Sequence, residues 1–339
     1  MARKFNIAIA GATGLVGEAL REILPGRDFP AGDVYLLASS ESAGKRLEYG
    51  GKRLGVKALE DFDFSQVQLV FSALPAEQAV EVARRAREAG AVVIDCSGAF
   101  LSEPRVPQVV PEVNPQRLDD FRQTGVVASP SPAAIQLARV LHIIAGEAGL
   151  EGFHATVLEP ASAAGRRGME ELAAQTARLL NGQPAEAEHF PARLAFNTHP
   201  VTGTVLDSGA SAAEVRVSLE TLSVLGEQSL PVTITVVRVP AFFGTAVTLH
   251  AETAEPLEVE RLNALLAGAV GIDAAAGEAA GGPSAVEDAV GSDQLLVGRV
   301  RRDLTRPRGL NLWLVTDNLR KGAALNCVQI AELLLKDHL

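Results

Sequence analysis

The run Gly11-Ala-Thr-Gly14-Leu-Val-Gly17 concentrates residues that can do chemistry through the backbone alone. It follows an apolar stretch at residues 5–10 and opens a helical pattern over residues 15–24. In that setting glycines permit a tight turn and let a pyrophosphate reach N–H groups at a helix N-terminus. Gly11, Thr13, Gly14, Leu15, Val16 and Gly17 are therefore expected to bind a dinucleotide. The bland alternative is a strand-to-helix turn with no ligand. A second apolar run, residues 33–38, leads into Ser39-Ser-Glu41-Ser42-Ala-Gly-Lys45. Comparable folds place an acid there on the ribose hydroxyls, or a cation on a 2′-phosphate. Ser39, Glu41 and Ser42 join the expected cofactor set, together with Asn318 far along the chain. Glu41 favours NAD, because a carboxylate repels a 2′-phosphate. Lys45 and the three serines can hold that phosphate, so NAD and NADP both stay open.

Reactive side chains are scarce. Cys96 and Cys327 are the only cysteines, far apart, which suits a reducing cytoplasm and excludes a multi-cysteine metal site. The six histidines show no ligand spacing, so no metal is expected. Cys96 follows a buried strand near the expected crevice and is conceivable as a nucleophile. Free cysteines are mostly inert unless a base or cation lowers their pKa. Cys327 falls on the packed face of the last helical pattern and reads as core filler.

The elements that must position these residues divide in two. A chain of 339 residues exceeds one small core. Residues 1–130 alternate apolar runs with helical patterns: strands at 5–10, 33–38, 69–72 and 91–95, helices at 15–24 and 75–89. That is the pattern of a doubly wound, Rossmann-like parallel sheet in an α/β protein. Its crevice is expected at the strands' carboxyl ends, where the loops 11–17, 39–45, 72–74 and 96–101 gather. Beyond residue 131 the pattern changes to α+β. Residues 232–238 alternate as a half-buried antiparallel strand does, as do 246–251 and 310–316. Helical patterns cover 169–180, 212–225 and 257–266. Residues 271–285, rich in Gly and Ala, read as a loose connection. The last amphipathic helix is expected over residues 318–335, beginning at the capping residue Asn318. The expected domains are 1–130 with 318–339, and 131–317.

Composition narrows the partners. A formal charge of -10 and short, acid-flanked basic runs such as Arg299-Val-Arg-Arg302 argue against nucleic acid and anionic membranes. Nothing reaches the roughly 18 apolar residues of a spanning helix. The basic start followed by residues 5–10 superficially resembles a secretory signal. The run is too short, is broken by Asn6, and passes into the glycine loop. A cytoplasmic protein with a small-molecule ligand is the expectation.

Three stretches carry a family resemblance: the glycine loop, Val110-Pro-Glu-Val-Asn-Pro115, and Asp317-Asn-Leu-Arg-Lys-Gly-Ala-Ala-Leu-Asn326. With Val93-Ile-Asp95, Ser97 through Phe100, Glu170-Glu-Leu and Val297 through Asp303, the sequence resembles the aspartate-semialdehyde dehydrogenases over nearly its whole length. The resemblance implies a cofactor domain completed by the C-terminal helix, a central domain that forms both the catalytic floor and a homodimer interface, and an NADP-linked reaction. It also implies a mechanism: a thiolate attacks the aldehyde, hydride leaves to the cofactor, and phosphate cleaves the thioester.

The residues that would run this mechanism depart from the family pattern. Pro130-Ser-Pro-Ala-Ala-Ile-Gln136 matches Pro-Asn-Cys-Ser-Thr-Ile-Gln and places Pro132 at the nucleophile. Proline has no nucleophilic atom and no N–H. Arg238-Val-Pro-Ala-Phe-Phe-Gly-Thr245 matches the strand whose last residue is the histidine base. Arg238 remains to grip a carboxylate, while Thr245 cannot take a proton near neutral pH. Glu159 stands where the family has glutamine and can pair with Arg238 or handle a proton. Leu101 stands at an arginine expected to bind phosphate. Arg216 matches a phosphate-binding lysine, and the acid three residues before it becomes Ala213. The resulting expectation is a Usg-type paralogue that keeps fold, dimer and nucleotide site for binding or regulation. The alternatives are an NAD(P)-dependent oxidoreductase acting without a cysteine intermediate, and an assembly partner that uses only the dimer surface.

Overall fold

The computed structural model describes residues 3–277 and 281–338. The chain divides into two compact units, Met1–Ser131 with Ala323–Leu339, and Pro132–Gly322.

The first unit holds strands β1 (Phe5–Ala10), β2 (Ala31–Ala38), β3 (Arg46–Tyr49), β4 (Lys52–Ala58), β5 (Leu69–Ser72), β6 (Val92–Asp95) and β7 (Val126–Ala128), with helices α1 (Leu15–Gly26), α2 (Ala76–Glu88) and the short α3 (Phe121–Thr124). The sheet order is β3-β4-β2-β1-β5-β6-β7. All pairs are parallel except the β3/β4 hairpin. Every residue of β5, β6 and β7 is buried, as expected for strands with both faces covered. This is the doubly wound sheet that the alternating pattern predicts. The β3/β4 hairpin and β7 were not predicted: the hairpin alternates charged residues without an apolar run, and β7 has only three residues.

The second unit begins with α4 (Pro132–Ala148) and continues through β8 (Gly152–Glu159), α5 (Gly165–Leu180), α6 (Ala212–Leu225), β9 (Val232–Arg238), β10 (Thr245–Glu252), α7 (Val259–Ala267), β11 (Ile272–Asp273), β12 (Leu295–Arg302) and β13 (Gly309–Thr316). The six strands lie in the order β11-β12-β13-β10-β8-β9. Leu137, Val140, Leu141 and Ile144 of α4 pack with Val217 of α6 and Leu262 and Leu266 of α7 onto Phe153, Ala155 and Val157 of β8 and Val247 and Leu249 of β10. Each fully buried aliphatic side chain there contributes about 1.5–3 kcal/mol of burial. Side chains alternate along a strand. His154 and Thr156, Thr233 and Thr235, and Thr248 and Trp313 therefore fall on the opposite face, where they line a cavity of about 490 Å³.

Three sequence expectations are corrected here. Residues 232–238 form a strand of the expected length, but β9 runs parallel to β8 and not antiparallel. Period-two alternation reports half burial, not direction. The long α5–α6 crossover returns the chain in the same sense. Residues 271–285 are not wholly a loose connection, because Ile272–Asp273 pairs in parallel with Leu295 and Leu296. Residues 278–280 of that stretch lie outside the described residues. The last helix does not start at Asn318. Asp317 caps the turn instead, its Oδ1 accepting from the N–H groups of Leu319 and Arg320, and a wide turn at Arg320–Ala324 precedes α8 (Leu325–Asp337). Helix α8 belongs to the first unit, where Asn326 donates to Val109 O and Ser129 Oγ, and Arg27 pairs with Glu332 at 2.7 Å. Cys327 is buried on it.

Among the described residues, no helix is long and apolar enough to cross a membrane, and no group of three or more His, Cys, Asp or Glu side chains is placed to hold a metal ion.

Candidate functional site

Two places carry the predicted residues, one in each unit. In the first, Gly11–Gly17 connects the end of β1 to the start of α1, and Ser39, Glu41 and Ser42 follow the end of the neighbouring strand β2. Both loops thus lie at the carboxyl edge of the same parallel sheet. The three glycines are glycine for different reasons. Gly11 has φ +85°, and a Cβ there would come within 2.4 Å of the Ala73 carbonyl oxygen. At Gly17 a Cβ would lie 2.2 Å from Gly11 O, so close packing of α1 on the loop excludes any side chain. Gly14 has an ordinary φ of -78°, and an added Cβ would meet only Gly11 O, at 3.3 Å. Conformation does not demand a glycine at that position, and packing disfavours a side chain only through this one tight backbone contact. A glycine there leaves room for a ligand to approach the first N–H groups of α1, which have no partners within the helix. The loop therefore fits a dinucleotide pyrophosphate. Glu41, on a short turn at Ser40–Ser42, is exposed, and Lys45 Nζ donates to Ser42 Oγ at 3.3 Å.

In the second unit the register of three strands assembles residues that are far apart in sequence. Glu159 is paired with Arg238 across β8 and β9. Ala246 lies opposite Leu158 across β8 and β10, which brings Thr245 level with Glu159. Glu159, Arg238 and Thr245 share the strand parity of Val157, Val236 and Val247, so they point to the face covered by α4. Pro132 is the first residue of α4, and one turn on Gln136 donates from Nε2 to Thr245 O at 3.3 Å. A Cβ at Gly322 would lie 2.7 Å from Pro132 Cβ, so the chain after β13 closes tightly over this helix start.

Both terminal nitrogens of Arg238 face partners within the protein. Nη1 donates to Pro160 O at 2.8 Å, Nη2 lies 2.9 Å from Glu159 Oε2, and the guanidinium stands 5.8 Å over the Phe190 ring. The Glu159–Arg238 contact is an ion pair without hydrogen-bond alignment. Glu159 Oε2 is buried and has no hydrogen-bond partner among the described residues. Desolvation raises the Glu159 carboxyl above its ordinary range, although 24 % of the side chain remains exposed, and Arg238 and then Arg216 draw it back. Arg216, on α6, is itself paired at 2.8 Å with Glu220, whose side chain is wholly buried. These four charges sum to zero.

Asn318 lies in the second unit and is buried. Its Oδ1 accepts from Gly244 N at 2.9 Å and its Nδ2 donates to Ser162 Oγ at 3.0 Å, so it ties the loop before β10 to the turn after β8. Ala213 sits in the first turn of α6, where Glu214 completes a capping box with Ser211 and also accepts from Val236 N. Cys96 is in the first unit, half buried, with Sγ donating to Ser72 O at 3.2 Å. No cysteine occurs anywhere in residues 132–322. Sequence reasoning missed Phe190 and His199, which flank Arg238: His199 exchanges two backbone hydrogen bonds with it and stacks edge-on against Phe190 at 6.2 Å. They lie in the long irregular stretch after α5, where no periodicity marks them.

A nucleotide-type sheet followed by an α+β unit with a charged floor is the architecture of two-domain, nicotinamide-dependent oxidoreductases. Comparison narrows the class. Residues 6–121 match the semialdehyde dehydrogenase NAD binding domain, and residues 142–321 match the semialdehyde dehydrogenase dimerisation domain. Aspartate-semialdehyde dehydrogenase 2 of Vibrio cholerae is 43 % identical over 338 residues, covering 100 % of both chains. A USG-1 protein homolog of Pseudomonas aeruginosa is 42 % identical over 341 residues, again across 100 % of both. The crystal structure of aspartate semialdehyde dehydrogenase II complexed with ASA, from Vibrio cholerae, superposes with a TM-score of 0.97 at 42 % identity over 100 % of each chain. The chain belongs to the aspartate-semialdehyde dehydrogenase family and carries its NAD(P)-binding and dimerisation domains.

Proposed function

We propose that this protein is a homodimer that binds a nicotinamide dinucleotide and has given up the family's acyl-enzyme chemistry, serving in binding or regulation. The observation that carries the reading is Pro132 as the first residue of α4, the position where the family resemblance calls for the nucleophilic cysteine. Thr245 at the position of the base, and the absence of any cysteine from residues 132–322, support it. Proline at the first helical position is favourable for the helix, so the scaffold keeps its stability while the thiol is gone. Losing nucleophile or base in a comparable triad costs on the order of 10⁶ in rate, roughly 8 kcal/mol. Nucleotide binding does not depend on either residue, and Gly11, Thr13, Gly14, Leu15, Val16 and Gly17, with Ser39, Glu41 and Ser42, remain to hold NAD or NADP. The cofactor supplies a hydride acceptor when bound. The dimer reading is supported by the matched dimerisation domain and by the sheet face carrying His154, Thr156 and Thr248, on which His154 and Thr248 are exposed.

The test is direct. With NADP, phosphate and aspartate semialdehyde, the purified protein should form NADPH at most at background rate, while titration with NAD and NADP gives saturable binding and sedimentation gives a dimer. Turnover comparable to a thiol-dependent dehydrogenase would sink the reading. A second reading, hydride transfer without a covalent intermediate, is favoured by one observation: the raised Glu159 carboxyl lies in a desolvated floor, the setting of a general acid or base. It predicts NAD(P)-dependent oxidation of a small carboxylate-bearing aldehyde or alcohol that disappears in E159Q.

A further inference from the structure

Arg238 is the residue that the resemblance assigns to a ligand carboxylate, yet its fork is turned inward. One terminal nitrogen donates to Pro160 O and the other faces Glu159 Oε2 at 2.9 Å. A ligand carboxylate arriving here would meet a carboxylate already in place. Like charges at that separation are strongly unfavourable in a desolvated site. Arg216 adds some positive field, but it is itself paired with Glu220 at 2.8 Å. With Glu159 ionised, the two ion pairs Glu159–Arg238 and Arg216–Glu220 leave no surplus of positive charge between them, which a site for an acidic ligand needs.

Glu159 also has an unmet need. Its Oε2 is buried against Arg238 Nη2 at 2.9 Å without an aligned hydrogen bond, while a quarter of the side chain stays open to solvent. A carboxylate oxygen in that state is stabilised by a donor, and an ionised carboxylate only accepts. We propose that Glu159 converts this floor from a carboxylate site into one for a small ligand bearing a primary carboxamide, whose NH₂ donates to Glu159 while its carbonyl accepts from the Arg238 guanidinium. The group that sits beside Arg238 thus sets the ligand class. The family's glutamine at this position offers a donor and so suits a carboxylate; glutamate offers acceptors only and suits an amide. Reversing donor and acceptor on the protein demands the same reversal on the ligand.

The proposal rests on the reading that Pro132, Glu159, Arg238 and Thr245 surround a ligand site, and the experiment separates the two. Succinate and succinamate differ only in one carboxylate replaced by a carboxamide. Their binding is measured by calorimetry on the full-length protein, at mildly alkaline pH with saturating NADP, for wild type and E159Q. Wild type should bind succinamate about tenfold or more tightly than succinate, the discrimination expected for a site that leaves a buried charged group mispaired with the wrong ligand. E159Q should invert the preference. The wild-type comparison stands alone should E159Q fold poorly. Preference of wild type for succinate, or the same preference in both proteins, overturns the carboxamide assignment and leaves the ligand site intact. Binding of neither probe to either protein overturns the ligand site itself, and the assignment with it.

Discussion

Helices α1 and α4 open in similar ways, each shortly after a strand of the parallel sheet, yet the two openings have fared differently. At α1 the work falls to backbone N–H groups and to the absence of side chains, and all three glycines are in place: Gly11 fixed by φ and packing, Gly17 by packing, and Gly14 leaving space before the helix. At α4, on the reading proposed above, the family's work would fall to a single sulfur atom at the position matched by Pro132. The contrast teaches that a function borne by backbone geometry is protected by the fold itself, since Gly11 and Gly17 cannot change without disturbing the packing around them. A function borne by one side chain can vanish while the helix that presented it remains unstrained.

That comparison can be broken in several ways. The largest effect is expected at the glycine loop. Gly11→Ala places a Cβ at a left-handed φ and against Ala73 O, which should destabilise the first unit by about 2–3 kcal/mol. It should also abolish saturable NAD and NADP binding, read by calorimetry and thermal shift. A variant that bound nucleotide as well as wild type would show that the loop is only a turn. Next, Arg238→Met leaves Glu159 desolvated without its counter-charge and should cost about 2–3 kcal/mol in urea unfolding. Nucleotide affinity should not change. An effect on both would mean that the two regions are not separable.

A smaller, signed effect is expected from pH. The folded protein holds the Glu159 proton more tightly than the unfolded chain does, because burial raises this carboxyl from its ordinary value of 4.5. Its contribution to stability is therefore fully present below that value and is lost as pH rises through the elevated folded value. E159Q should flatten this decline when unfolding free energy is followed across the acid to neutral range. An unaltered profile would show that another group is responsible. Least is expected of Thr245→Val. It should shift stability by about 1 kcal/mol or less and leave nucleotide binding untouched, since the hydroxyl does not replace a base. A loss of some measurable turnover in this variant would give Thr245 a role it is denied here.

Local chemistry explains how much was legible beforehand. The strands at 5–10, 69–72 and 232–238 and the helix at 212–225 follow from periodicity alone, because an element buried on one or both faces writes its burial into its own residues. The Glu159–Arg238 pair was legible as a possibility, because an acid at a position matched to glutamine lies near a retained arginine in the family pattern. Its consequences were not: nothing in the sequence says that Pro160 O takes one arm of the guanidinium, or that Phe190 and His199 close around it. The sequence offers Asn318 as a helix cap, whereas the neighbouring Asp317 caps the turn before α8, because both residue types accept from backbone N–H groups and only the approach of Gly244 and Ser162 decides between them.

By itself the sequence determined the two kinds of architecture, the glycine loop and the chemical identity of the groups at Pro132, Glu159 and Thr245. Those are properties of single residues or of near neighbours. Tertiary structure alone decided that β9 runs parallel to β8, that Thr245, Glu159 and Arg238 stand level on one face, and that Arg238 divides its fork between Pro160 O and Glu159. Strand direction and register relate residues some eighty positions apart. They are set by which long-range packing buries the most apolar surface, a sum over the whole unit that no local pattern contains.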